Sequence, residues 1–197
     1  MASSLLQSIV SSHERLDLAA FGRRFDELSR EAKRRFVKVE YRQQFHEPDV
    51  PSYNKYMAGD REAALKLMPE ERFVDKDCSV DFCRRSILDV RLRFIARPLT
   101  PYLLWEFESY RLSARWGERI CIVDITDDGI RRQFADATDF LLFDDDHVLM
   151  NWYDDAGVFR GGWDVHDQDV IVRCNRLADS MTSVCVPLAL FEWEHKL

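Results

Sequence analysis

The chain has 197 residues, 46% of them hydrophobic and 32% charged, with only seven glycines and six prolines, a composition that argues for one compact domain and excludes a collagenous or disordered chain. No apolar run approaches the roughly 18 residues of a membrane span, and the opening MASSLLQSIVSSH has no basic region before its short apolar run, so neither an anchor nor a signal peptide is expected. The net charge of −7 divides unevenly: 19 Lys and Arg against 16 Asp and Glu up to Arg97, and 9 against 19 from Pro98 onward, which leaves the first half free to offer a basic surface beside an acidic second half.

Apolar Leu18, Phe21, Phe25 and Leu28 recur at steps of three and four among Arg23, Arg24, Arg30, Lys33, Arg34 and Arg35, which predicts a basic amphipathic helix over 16–35. FVKVEYRQQF then alternates as a strand. After the break at Pro48 and Pro51, short helices are expected around Tyr53–Met57 and from Asp60 through Leu67, the second stopped by Pro69. The segment 86–98 is the most regular strand, with Val90, Leu92, Phe94 and Ala96 on one face and Arg91, Arg93, Ile95 and Arg97 on the other. Thr100-Pro101 opens a helix reaching about Trp116, closed by Gly117, and ERICIVDI is a further strand. A polar stretch over 127–139 leads to three antiparallel strands, 140–143, 147–153 and 158–165, joined by Asp-rich turns. A helix over 167–181 and an apolar tail, VPLALFEW, complete the chain. The whole reads as α/β, with α+β as the variant: a single domain over 1–197 with a mixed sheet, C-terminal antiparallel hairpins and packed helices, in which 1–50 supply a basic helix and strand and 51–197 the main part.

Cys78, Cys83, Cys121, Cys174 and Cys185 are odd in number and lack CxxC spacing, so no zinc site is expected and free thiols in a reducing cytoplasm are. Neither GxGxxG nor GxxxxGK[ST] occurs, which removes the usual support for a dinucleotide or P-loop nucleotide, and no cofactor is expected. No GxSxG or Ser, Cys or Thr signature points to a nucleophile.

Three constellations carry possible chemistry. Tyr102, Glu106 and Tyr110 stack at i, i+4 and i+8 on one helix face, where apolar neighbours would raise the Glu106 pKa and suit it to proton transfer; the alternative is a structural Glu accepting tyrosine or backbone hydrogen bonds. Glu108 is explained by a pair with Arg111. Arg91, Arg93 and Arg97 project from one strand face, on which a two-residue step spans about 6.6 Å, close to the phosphate spacing of a nucleic-acid strand. With Arg84, Arg85, Arg34 and Arg35 they make a candidate RNA-backbone surface, and cross-strand ion pairing with Glu40 or Asp residues is the equal alternative. Asp144, Asp145 and Asp146 before His147 lack the alternation of a calcium loop and read as a turn. Trp152 and Tyr153 either line a pocket or fill the sheet.

The runs PLTPYLLWEFESYRLSARWGERICI and DFLLFDDDHVLMNWYDDAGVFRGG resemble a domain common in actinobacteria and often encoded beside helix-turn-helix regulators, on the pattern Pro98, Leu99, Tyr102, Glu106, Tyr110, Gly117, Glu118, then Asp139, Phe140, Leu142, Phe143, Asp144, and Tyr153, Asp154, Gly157. The domain is also similar to the fungal arginine-containing cyclodipeptide synthases, which condense aminoacyl groups from tRNA into diketopiperazines, and Tyr102 and Glu106 match the four-residue Tyr–Glu spacing of cyclodipeptide synthases generally. That likeness implies catalytic Glu106 with Tyr102 and Tyr110, and aminoacyl-tRNA, including arginyl-tRNA, as partner, held by the basic residues above. A cationic arginine side chain would find its acceptors among Glu118, Asp139, Asp144 and Asp145. The expected activity is thus that of a cytoplasmic cyclodipeptide synthase, with no direct DNA contact. The alternative is a non-enzymatic regulatory protein acting with a DNA-binding partner.

Overall fold

The computed structural model describes Ile9 and residues 14–197; the opening segment, apart from Ile9, lies outside the described residues. The first half runs α1 (Leu18–Glu31), β1 (Arg35–Glu40), α2 (Pro51–Met57), α3 (Arg61–Glu71), α4 (Phe73–Arg84), β2 (Leu88–Ile95) and α5 (Pro101–Arg115). The second runs β3 (Arg119–Asp124), α6 (Asp128–Gln133), β4 (Phe140–Phe143), β5 (His147–Tyr153), β6 (Phe159–Val165), α7 (Gln168–Val184), β7 (Val186–Pro187) and α8 (Leu188–His195). The strands form one mixed sheet in the order β6-β5-β4-β1-β2-β3-β7. β1, β2 and β3 are parallel, and the remaining pairings are antiparallel. The protein is therefore of the α/β class, with helices on both faces of a mixed sheet.

Helix starts follow from short polar side chains that accept otherwise unpaired N–H groups. Asp17, Asp60, Thr100, Asp127 and Asp167 each cap a helix, Thr100 accepting from Leu103 N at 3.1 Å ahead of Pro101. Part of the acidity of the chain is thus spent on helix N-termini, where negative charge also meets the favourable end of the helix dipole.

Two layers cover the sheet. On one face Val37, Leu92, Phe94, Leu142 and Met150 pack against Val170, Cys174 and Met181 of α7 in the largest apolar cluster. On the other, α1 and α4 lie over β1, β4 and β5 through Phe21, Leu28, Phe82 and Phe143, while α5 and α8 cover β2 and β3 through Phe107, Ile122 and Phe191. The chain ahead of α1 crosses β6 so closely that a Cβ on Gly161 would stand 2.4 Å from the Leu16 carbonyl oxygen, and one on Gly162 would stand 1.9 Å from the Met150 carbonyl oxygen of the neighbouring β5, which accounts for the Gly-Gly pair.

The structure departs from the sequence expectation in four places. Pro69 lies inside α3 and does not stop it; it forgoes one i→i−4 hydrogen bond, but only two residues follow before the chain breaks at Arg72. Helix α4 was not anticipated because the side facing the sheet carries Cys78 and Ser79 beside Phe82, so its apolar stripe is thin. The polar stretch after β3 contains α6, begun by Asp127. The apolar tail divides into the edge strand β7 and helix α8.

Candidate functional site

On the sheet face turned away from α7, the register of the parallel strands sets charged residues side by side. Phe36 stands opposite Asp89, Lys38 opposite Arg91, and Glu40 opposite Arg93; on the other side of β2, Arg91 and Arg93 face Ile120 and Ile122. Glu118 comes just before β3. Arg91 bridges two carboxylates, donating from Nη1 to Glu40 at 2.7 Å and from Nε to Glu118 at 2.7 Å. Lys38 reaches Glu40 at 2.9 Å. Arg93, fully buried, donates from Nε to Glu106 Oε2 at 2.8 Å and from Nη1 to the Glu40 carbonyl at 3.2 Å and to the Arg42 carbonyl at 2.5 Å. Ions this deep are tolerated only when paired and hydrogen-bonded.

Helix α5 brings Tyr102, Glu106 and Tyr110 over this stripe. Tyr102 is placed to donate its hydroxyl either to Glu106 at 3.1 Å or to Glu47 at 2.7 Å, and Tyr110 donates to Glu40 at 2.7 Å. Burial pushes the Glu106 carboxyl up; Arg93 pulls it down and Glu40 pushes it up again, and the balance lies above the ordinary carboxylate range. For Glu40 burial also pushes up, but Arg91, Lys38 and Arg93 outweigh it and hold the group well below that range. Both tyrosines are raised well above their usual value by burial and then by neighbouring carboxylates, so they act as donors.

Between the stripe and helices α1, α4 and α5 lies a cavity of about 420 Å³. Its walls divide by chemistry. Phe21, Phe25, Phe36, Leu141 and Phe159 form an apolar side, and Glu40, Asp89, Arg91, Glu106 and Glu118 a charged one. Seven carboxylates and three basic side chains line it in all. Among the described residues no group of three or more potential ligands is placed to hold a metal ion, and no helix is long and apolar enough to cross a membrane.

The sequence-predicted residues fall into two groups. Glu106, Tyr102, Tyr110, Glu118, Tyr153 and, against its expected role on a nucleic-acid surface, Arg91 line the cavity together. The others do not. Asp144, at φ 53°, accepts from the N–H groups of Lys33, Arg34 and Arg35 and holds the α1–β1 turn; burial alone would raise its pKa, yet these donors lower it. Asp139 is buried and accepts from the N–H groups of Tyr41 and Arg42, its carboxyl raised by burial despite them. Trp152 packs on the opposite face of the sheet, under the guanidinium of Arg15 at 3.9 Å. None of these three is an acceptor inside the cavity.

The expected phosphate-binding row is also corrected. Arg91 and Arg93 are buried in ion pairs, and the cross-strand pairing with Glu40 that stood as the alternative is what the strands make. Arg97 is exposed and paired with Asp124 at 2.8 Å. Arg85 is tied to the Ser29, Arg30 and Ala32 carbonyls and closes the C-terminus of α1, a use of arginine that complements the helix dipole. Arg35 is held by Asp145, Asp179 and Asn175. Of the seven, Arg34, Arg84 and Arg97 are exposed, Arg34 beside Asp145 at 2.9 Å. Glu108 pairs with Arg111 as expected and also with Arg61.

Sequence reasoning missed Lys38, Glu47, Ser79 and Asp89, which all line the cavity. One signal was available: Lys38 and Glu40 alternate with Val37 and Val39 on a strand that had to sit inside a mixed sheet, where both faces are covered.

The fold and this cavity define an α/β protein with an internal, predominantly acidic pocket. Residues 23–192 match the model of DUF6879, a domain of unknown function, and the chain belongs to that family. No curated protein matches the sequence. Among solved structures, TrmBL2, an archaeal chromatin protein described as showing a novel mode of DNA binding, is similar at 13% identity and a TM-score of 0.42, over 88% of this chain and 52% of that one. The chain thus spans about half the length of that protein.

Proposed function

We propose that the cavity is the active site of an enzyme acting on a small cationic substrate and, in its specific form, that the protein is a cyclodipeptide synthase using aminoacyl-tRNA, with arginine as one of the joined residues. The observation that carries this reading is the buried Tyr102–Glu106 pair at the wall of an acidic cavity. A carboxyl raised by burial is suited to take a proton near neutral pH. In each condensation the α-amine of one aminoacyl group attacks the ester carbonyl of another. A C–N bond forms, the C–O bond to the tRNA ribose breaks, and the amine proton passes through Glu106 to the departing ribose oxygen. A second such attack closes the ring. The ester already carries the driving force, so no nucleotide is consumed.

Helix α1 supports this reading, for it turns Phe21 and Phe25 into the cavity while Arg23, Arg30 and the following Lys33 and Arg34 face solvent. With Arg84 they offer cations beside the cavity for a phosphate backbone. Free cysteines and the need for charged tRNA agree with a cytoplasmic location. The rival is a non-enzymatic regulatory protein, drawn from the resemblance to the actinobacterial domain encoded beside helix-turn-helix regulators. It would bind its DNA-binding partner through exposed apolar side chains such as Trp193, which is 77% exposed.

Mass spectrometry of extracts from a bacterial host separates the two, since the host supplies every charged tRNA. A new arginine-containing cyclic dipeptide is expected with the unaltered chain and not with Tyr102→Phe, which deletes one hydroxyl and keeps the packing. Glu106→Gln is expected to lose product too, but it leaves buried Arg93 without its partner, so its fold is checked by circular dichroism. Extracts identical to an empty-vector control, from a host making soluble folded protein, would sink the synthase reading.

A further inference from the structure

The carboxylates around the cavity are not equally compensated. Glu40 has Arg91 and Lys38, Glu118 has Arg91, Glu106 has Arg93, and Asp75 has Arg72 at 3.1 Å. Among the buried carboxylates of the wall Asp89 is the exception; Glu47 and Asp49, which line the cavity without a salt bridge among the described residues, are not buried. Asp89 is 6% exposed, projects from β2 into the cavity wall, and makes no ion pair among the described residues; the Ser79 hydroxyl of α4 donates to its Oδ2 at 2.7 Å. A carboxylate accepts at about four positions, and one hydroxyl does not replace the water lost on burial.

We propose that Asp89, with Glu118 beside it, is the seat of an organic monocation, a guanidinium or primary ammonium group whose apolar body lies along Phe36 and the Phe25 ring packed on it. The register carries the geometry. Phe36 is the direct neighbour of Asp89 across β1 and β2, and Val90 pairs with Arg119, so Glu118 is one step back on β3's side just as Asp89 is on β2. An aromatic wall thus adjoins a carboxylate that lacks a cation. That combination binds organic cations by charge, directed hydrogen bonds and ring faces together. A metal ion is disfavoured, because the site lacks the several oxygen donors that one requires.

The groups facing Asp89 decide its charge. Burial and Glu118 raise its pKa, while Ser79 from α4, Arg91 on β2 and Lys38 on β1 lower it, and the outcome is about 6. Cys78 of α4 also faces it, a thiol pushed up to about 12 by burial and then by Asp89, and therefore neutral. Near neutral pH the seat is ionised and under-compensated, and in mild acid it fills with a proton instead.

This inference deepens the synthase reading by locating its cationic group, yet it depends on the cavity alone. The test is calorimetric titration of the purified full chain with n-butylguanidinium and n-butylammonium, using butanamide as the neutral control. At pH 8 both cations are expected to bind and butanamide to bind at least about tenfold more weakly. Asp89→Asn, a neutral isostere that keeps a partner for Ser79, is expected to reduce cation binding by a similar factor. Binding to the unaltered protein is expected to fall about tenfold at pH 5, where a carboxyl titrating near 6 is about nine-tenths protonated. Should Asp89→Asn not fold, Ser79→Ala serves: by removing the hydroxyl donor it is expected to move the midpoint of that pH dependence upward. Cations that bind no better than butanamide, or equally well to Asp89→Asn, would overturn the seat. Failure of the seat alongside a cyclic dipeptide in the host extract leaves the synthase reading standing. Cation binding without any product sinks the synthase and keeps the seat.

Discussion

The two faces of this sheet share their strands and differ in how they are held. Towards α7 the strands present Val37, Leu92, Phe94, Leu142 and Met150, and cohesion there comes from removing apolar surface from water, a force without direction. On the opposite face the next residues along the same strands are Lys38, Arg91, Arg93 and Glu40, held by directed hydrogen bonds and paired charges. The apolar face tolerates rearrangement at a modest cost, whereas the charged one has an arrangement in which every member depends on its partners. The cavity lies on the second face because charged rows cannot close up as an apolar core does.

The largest effect expected on either face follows from Arg93→Met, which leaves Glu106 buried without its cation. Urea denaturation should show a loss of about 3–5 kcal/mol, and adding Glu106→Gln should recover much of it; a double variant as weak as the single one would mean that the pair is not what matters. Leu92→Ala on the apolar face should cost about 2–5 kcal/mol in the same assay through the cavity it leaves. Butylguanidinium binding should be untouched by it, and a parallel loss would show that the two faces are not independent. Asp89 and Glu40 are expected to give opposite pH slopes. Asp89 holds its proton more tightly in the folded chain, so its effect is to lower stability as pH rises from about 4 to about 6. Asp89→Asn should therefore raise stability at pH 8 by up to about 3 kcal/mol while changing it little near pH 4. Glu40 is depressed, so its contribution is present above the ordinary carboxylate range and lost as pH falls through its folded value. Smallest is Asp144→Ala, away from the cavity, which frees the N–H groups of Lys33, Arg34 and Arg35 and should lower stability by about 1–2 kcal/mol without changing ligand binding.

Much of the architecture was legible along the chain. Thr100-Pro101 marked the start of α5, Asp-rich turns separated β4, β5 and β6, and the alternation over 88–95 marked β2. The Tyr102, Glu106 and Tyr110 face was legible too, since helical spacing alone sets those three in line. Whether the arginines of β2 faced water or carboxylates was not legible. Alternation assigns Arg91 and Arg93 to one side of the strand, and a charged side is ordinarily the wet one. In this chain α1, α4 and α5 close over it. The same limit separated Asp139 and Asp144 from the cavity, because both caught backbone N–H groups that only the folded chain brings near.

By itself the sequence determined most of the elements, the Asp and Thr caps that begin several helices and the face each side chain takes, since all of these depend on residues within a turn or two. Tertiary structure alone decided that β1 lies between β4 and β2, which put Lys38 and Glu40 beside Arg91 and Arg93 and left Asp89 with a single hydroxyl donor. Ion pairing and burial are properties of distance in space, and the carboxylate partners of Arg91 and Arg93 are separated from them by 13 to 53 residues along the chain.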